Sequence, residues 1–234
     1  LGVFAKKYKS RFFDVGIAEQ HAVCFGAGLA TKGLKPYFAV YSSFLQRGFD
    51  QIIHDMAIGN FPLKLLIDRA GIVGEDGESH QGIFDVSYLT CIPNITVFSP
   101  SSYAELEYRI KYTAQREGMF AVRYPRGCEK PCGEADFTAD YSIVKGESKK
   151  AIVTYGRLFS EALTAKEKAD VNIVKLNKIY PLSDELISRL QDFEEIFVFE
   201  ESVKSGVIGV HLATRLLEKN YNGKLKINAI NNNF

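Results

Sequence analysis

Residues 63–81 read LKLLIDRAGIVGEDGESHQ. The first part, Leu63 to Asp68, is a largely apolar run of the kind found in a strand covered on both faces. The rest, Arg69 to Gln81, holds three glycines, three acids and a histidine, with no apolar period. An irregular loop at the end of a buried strand is where open parallel sheets bind their ligands. The stretch therefore predicts an α/β sheet with a binding loop at its carboxyl edge.

The flanking sequence alternates in the same way. Upstream, Arg11 to Val15 (RFFDV) is short and β-prone. Ile17 to Thr31 has a helical period, with Ala18, Ala22, Gly26 and Ala30 spaced by four, a stripe that lets a neighbouring element approach closely. Pro36 to Val40 (PYFAV) predicts a strand. Phe44 to Asn60 predicts one helix with Leu45, Phe49, Ile52, Ile53 and Met56 on one face. Downstream, Ile95 to Phe98 and Met119 to Tyr124 predict strands. Between them lies a helix opened by a capping box at Ser102 and Glu105. Gly127 to Lys150 carries mixed charge and little period, and reads as a linker. A second series follows: strands at 151–155, 171–176, 196–200 and 225–230, with helices at 160–169, 183–190 and 206–219. Ser183 is a candidate cap. Strands alternating with helices imply two doubly wound α/β domains, each a mostly parallel sheet flanked by helices. Their expected bounds are 1–127 and 150–234, with the linker at 128–149.

Composition narrows the classes. The chain has 234 residues, 29 basic against 28 acidic, for a net charge of +1. That balance argues against a broad nucleic-acid-binding face. No run of about 18 apolar residues suggests a membrane span, and the first residues lack the pattern of a signal peptide. Four cysteines do not make a disulfide framework, and they fit a reducing, cytoplasmic compartment. Cys128 and Cys132 are spaced C-x3-C with no second zinc-like pair, so no metal site is expected.

Periodicity cannot name a reaction, because such folds host many. Individual side chains narrow it. Glu19 stands near the start of the first long helix among Ile17, Ala18, Ala22 and Val23. Its plain reading is a carboxylate favoured by the helix dipole. Its functional reading is a partly desolvated acid able to share a proton with a ligand nitrogen. Tyr41 and Phe44 lie where a strand ends, and Arg47 follows one helical turn after Phe44. Asp76 and His80 lie in the irregular loop. There they are either turn chemistry or groups for proton transfer and hydrogen bonding. Arg69 and Arg126 each follow a buried strand, and two arginines at strand ends of one sheet can hold a phosphate. His54 and His211 read as structural.

As a set these residues carry a resemblance. The run FFDVGIAEQHAVCFGAGLATKGLKPYFAVYSSFLQRGFDQIIHD resembles the pyrimidine-binding domain of thiamine-diphosphate enzymes of the transketolase group. IDRAGIVGEDGESHQGIFDVSYLTCIPNITVFSPSS and AVRYPRG look more narrowly like the 1-deoxy-D-xylulose-5-phosphate synthases. AIVTYG, VKLNKIYPL, FVFEES and SGVIG are similar, more weakly, to their C-terminal domain. The resemblance implies an enzyme joining pyruvate to D-glyceraldehyde 3-phosphate, with loss of carbon dioxide, as a supply for isoprenoid precursors, thiamine and pyridoxal. It implies thiamine diphosphate and Mg2+ as cofactors and a homodimer as the assembly. By position, Glu19 would bond the aminopyrimidine nitrogen and favour the imino tautomer. Phe44 would stack on that ring, with Tyr41 and Arg47 beside cofactor and substrate. Asp76 and His80 would face the reacting atoms, and Arg69 and Arg126 would grip the phosphate.

The sequence departs from the resemblance in one large respect. The G-D-G motif that holds magnesium and the diphosphate in the family's N-terminal domain is absent, and both domains look trimmed at their outer ends. The expectation is a partner or preceding diphosphate-binding domain, without which these residues bind the cofactor weakly and show no turnover. A half-chain transketolase and the β-type subunit of a 2-oxo acid dehydrogenase are the alternatives. A further one is a non-catalytic module that kept the fold.

Overall fold

The computed structural model describes residues 1–130 and 136–231. Cys132, and with it the C-x3-C spacing, lies outside the described residues.

The described residues form two five-stranded sheets. The first runs β1 (Tyr37–Tyr41), β2 (Lys64–Asp68), β4 (Met119–Arg123), β3 (Ile95–Phe98) and β8 (Lys178–Tyr180), in that spatial order. Its first four strands are parallel and β8 is antiparallel to β3. The second runs β10 (Lys224–Ile230), β9 (Glu195–Val203), β6 (Lys150–Thr154), β7 (Asn172–Leu176) and β5 (Tyr141–Val144). Only β5 is antiparallel there. The expected architecture, two mostly parallel sheets flanked by helices, is the observed one.

The helices follow local sequence closely. They are α1 (Gly2–Lys7), α2 (Glu19–Ala30), α3 (Ser42–Leu45), α4 (Phe49–Gln51), α5 (Asp85–Leu89), α6 (Tyr103–Ala114), α7 (Leu158–Lys166), α8 (Asp184–Leu190) and α9 (Ile208–Glu218). Ser102 Oγ accepts from Glu105 N–H at 3.1 Å, and Ser183 Oγ from Leu186 N–H at 3.3 Å, so both expected caps are in place. The Glu105 carboxylate reaches back to Ser101 N–H at 2.9 Å, one residue before the cap. The small-residue stripe of α2 is buried at Ala22, Gly26 and Ala30, and a Cβ at Gly26 would touch Leu63 at 3.4 Å.

Four expectations need correction. Arg11 to Val15 is not a strand: Lys9–Arg11 is a tight turn, and Phe13 packs on Phe25 of α2 with ring centroids 5.1 Å apart. The single helix expected from Phe44 to Asn60 is segmented: α3, a 3-10 turn at Gln46–Gly48, α4, then a widened π-type stretch at Ile52–Ala57. The break falls at Gly48, where a Cβ would press on Val23 at 3.2 Å and on the Glu19 carbonyl at 3.4 Å. The reading of 128–149 as linker throughout misses β5, whose partly buried Tyr141 and Ile143 pack on the core. Lastly, β8 was not expected. It comes from the second half of the chain yet extends the first sheet, so the two halves share one continuous core cluster running from Val23 to Leu216.

Candidate functional site

Parallel strands end at a common edge, and the side chains singled out from sequence gather there. Glu19 is the first residue of α2 and is 7% exposed. The first turns of a helix carry unpaired N–H groups and positive dipole, which makes a buried carboxylate tolerable there. Its Oε1 lies 3.4 Å from Arg47 Nη1. The Arg47 guanidinium also sits over the Phe44 ring, 4.8 Å from its centroid. Acid, cation and ring therefore form one group, joined by the turn that Gly48 allows to approach α2.

Aromatic contacts link this group to the loop after β2. Tyr41, the last residue of β1, stacks with Phe44 at 5.6 Å, and Phe44 meets the His80 ring at 5.3 Å. Arg69, directly after β2, lies over Tyr41 at 3.8 Å. Its backbone is left-handed, with φ of 59°, a conformation that costs a non-glycine residue about 1 kcal/mol or more and collects at functional sites. Arg69 Nε donates to Asp76 Oδ2 at 2.8 Å, and its Nη1 to Asp68 Oδ2 at 3.0 Å. Arg126, beyond β4, also donates to Asp76 and pairs with Glu75 at 3.0 Å. Asp76 thus accepts from both arginines expected at a phosphate. Desolvation alone would raise its carboxyl, but the hydrogen bonds and charges of Arg69 and Arg126 outweigh that and hold it below the ordinary range. Desolvation pulls Arg69 down, and its bond to Asp76 with the nearby Asp68 charge more than reverses this.

All eight candidates lie in this one region. What sequence reasoning missed is the support around them. Gly71 and Gly82 exchange backbone hydrogen bonds of 2.7 and 2.9 Å, closing the loop at its neck. Gln81 fastens its inside, bonding Val73 N–H and Val73 carbonyl at 2.8 Å each. The paired glycines flanking the polar run were the available signal. Arg123 and Asp85 form a buried bidentate pair at 2.9 and 3.1 Å below the site. A cavity of about 480 Å³ opens beside Arg126, bounded by Tyr103, Leu106 and Arg157. Among the described residues, no group of three or more His, Cys, Asp or Glu side chains could hold a metal ion. No helix among them is long and apolar enough to cross a membrane.

A buried acid at a helix start, an aromatic face and a cationic loop at the carboxyl edge of a parallel sheet define the half-site of a transketolase-type fold. Residues 2–129 match the family model described as transketolase, pyrimidine binding domain, and residues 140–230 that of transketolase, C-terminal domain. The chain belongs to the transketolase family. It is 43% identical to a 1-deoxy-D-xylulose-5-phosphate synthase of Clostridium botulinum over 99% of its own length and 39% of that relative. It is 46% identical to one of Actinobacillus pleuropneumoniae over 88% of its length and 34% of that relative. The chain thus spans about 39% of the length of curated relatives such as the first. A solved structure described as a split gene transketolase, inactive beta4 tetramer, superposes with a TM-score of 0.86 at 27% identity, covering 98% of this chain and 78% of that one. A transketolase from Campylobacter jejuni shares the fold, with a TM-score of 0.72 at 19% identity over 93% of this chain and 34% of that one.

Proposed function

We propose that this chain is the pyrimidine-binding and C-terminal part of an enzyme that joins pyruvate to D-glyceraldehyde 3-phosphate, releasing carbon dioxide and forming 1-deoxy-D-xylulose 5-phosphate. The observation that carries the reading is the convergence of Arg69 and Arg126 on one anionic group, Asp76, beside Phe44 and His80. A phosphate ester bears the same kind of charge, and the planar guanidinium fork matches its oxygens. The identities of 43% and 46% to synthases of that name support the same choice.

The residues present suit the pyrimidine half of thiamine diphosphate. Glu19 is desolvated at a helix start and offers a carboxyl that can share a proton with a ring nitrogen. Phe44 offers a face for the ring, and Arg47 fixes both. Tyr41 packs behind Phe44 and under Arg69. His80, against Phe44, is placed to hydrogen-bond a polar substrate at the reacting side, with Asp76. When bound, the cofactor supplies the electron sink for decarboxylation. The diphosphate and Mg2+ belong, in this reading, to a domain outside these 234 residues. In this reading the first domain ends at 127 and the second begins ahead of β5 rather than at 150, the assembly is a homodimer, and the compartment is the cytoplasm.

The test supplies a diphosphate-binding domain, thiamine diphosphate and Mg2+ to the purified chain. Carbon dioxide release that requires both pyruvate and the triose phosphate is expected, with no turnover by the chain alone. Transfer from ketose donors without decarboxylation would instead favour a half-chain transketolase, the reading that likeness to the split transketolase supports.

A further inference from the structure

The loop carrying Asp76 and His80 is held at its neck by the second half of the chain. Arg157, which precedes α7, sends Nη2 to the Ile72 carbonyl at 2.8 Å. The same guanidinium grips Glu201 of β9, with Nε donating to Oε2 at 2.7 Å and Nη2 to Oε1. The Glu201 carboxylate lies close against the neck: a Cβ at Gly71 would stand 2.7 Å from Oε2. One residue past the neck, Val203 N–H donates to the Ile83 carbonyl at 3.0 Å. Three points on the second half thus fix both strands of the neck. Arg69 lies two residues before Gly71, on a left-handed backbone, so displacement of the neck turns the chain at Arg69 and carries its guanidinium with it.

We propose that Arg157 and Glu201 are positioning residues, a clamp through which the second half of the chain sets the place of Arg69 and Asp76 for a phosphate monoester. Only the naming of that ligand rests on the proposed function; the clamp itself rests on contacts. The chemistry suits the task. A carbonyl bonded by a charged guanidinium is held more firmly than by a neutral donor. A planar fork can serve Glu201 and Ile72 together, which the single ammonium of lysine cannot do with the same geometry. Glu201 in turn restricts Arg157 to one direction, and its side chain is 16% exposed, so the pair is partly shielded from screening.

Amide hydrogen exchange on the chain itself tests the clamp. In Arg157→Ala, exchange at the Gly71, Val73 and Gly82 amides is expected to speed up about tenfold or more, the scale of one charge-assisted hydrogen bond. Ile173 and Val174 in β7 are expected to keep their rates. Arg157→Lys is expected to fall between. Unchanged exchange at the three loop amides overturns the proposal. Should Arg157→Ala fail to fold, Glu201→Gln, which keeps shape and removes charge, is read at the same amides by the same criterion. Titration with inorganic phosphate, followed at the Arg69 Nε–H resonance, supplies a readout that structural support alone would not move. Affinity several-fold weaker in Arg157→Ala is expected, and equal affinity in the two proteins overturns a positioning role. If the unmutated chain gives no phosphate response, the phosphate reading of Arg69 and Arg126 fails, and the clamp is then decided by exchange.

Discussion

Asp76 accepts hydrogen bonds from Arg69 and Arg126, so its charge holds the two cations together. Because its folded pKa lies below the ordinary carboxylate value, the contact stabilises the folded loop above about pH 4. That contribution is lost as pH falls through the depressed value. Carbon-13 titration of the Asp76 carboxyl should give a midpoint below about 4, and a midpoint at or above it would contradict the pairing. Glu19 was legible from sequence as a helix-start acid among small residues. The one-turn spacing of Phe44 and Arg47 was legible too, but the contact of Arg47 with Glu19, 28 residues away, was not. The pairing of Asp76 with both arginines was not legible, because it depends on how the loop folds back over the strand ends. Arg157 was hidden for a similar reason: its partners, Ile72 and Glu201, are 85 and 44 residues away.

At the scale of elements, the neck of the loop is the most constrained point. A Cβ at Gly82 would lie 2.0 Å from the Arg69 carbonyl and 2.9 Å from Ala70 Cα, both backbone atoms. Gly82→Ala must therefore displace the neck, and a loss of about 1–3 kcal/mol in urea unfolding is expected. A second expectation concerns α9 where it meets α5 and β8. His211 is bonded to Thr90 at 3.1 Å and packs on Tyr180 at 5.4 Å, and burial lowers its pKa. The unfolded chain then binds more protons. Stability should decline as pH drops from about 6.5 through the lower folded value, and His211→Gln should flatten that slope. Most central strands were legible, because β2, β3, β4 and β7 are mostly apolar or β-branched. The antiparallel edge strands β5 and β8 were not. Each is four residues or fewer, too short to show a period, and each is specified by the sheet it joins.

Over the whole molecule, β8 and the shared core bind the two sheets into one unit. Arg123 and Asp85 are 4% and 0% exposed, and the Arg123 guanidinium lies 5.8 Å from the Tyr155 ring. Tyr155 in turn donates to buried Glu200 at 2.8 Å, carrying the network into the second sheet. Arg123→Met strands a buried carboxylate, so a loss of about 3–5 kcal/mol is expected, most of it recovered when Asp85→Leu is added. Calorimetric and van't Hoff enthalpies should agree, the mark of one cooperative transition. In the proposed function the Glu19 carboxyl, beside Phe44 and Arg47, would hold the cofactor's aminopyrimidine in the imino form that takes the thiazolium C2 proton. The direct measurement is deuterium exchange at that carbon by NMR, in the chain reconstituted with a diphosphate-binding domain, with and without Glu19→Gln. Exchange slowed by about 100-fold or more is expected in Glu19→Gln, in the range of positioned acid–base groups. Equal exchange in the two proteins, with cofactor bound to both, would contradict it.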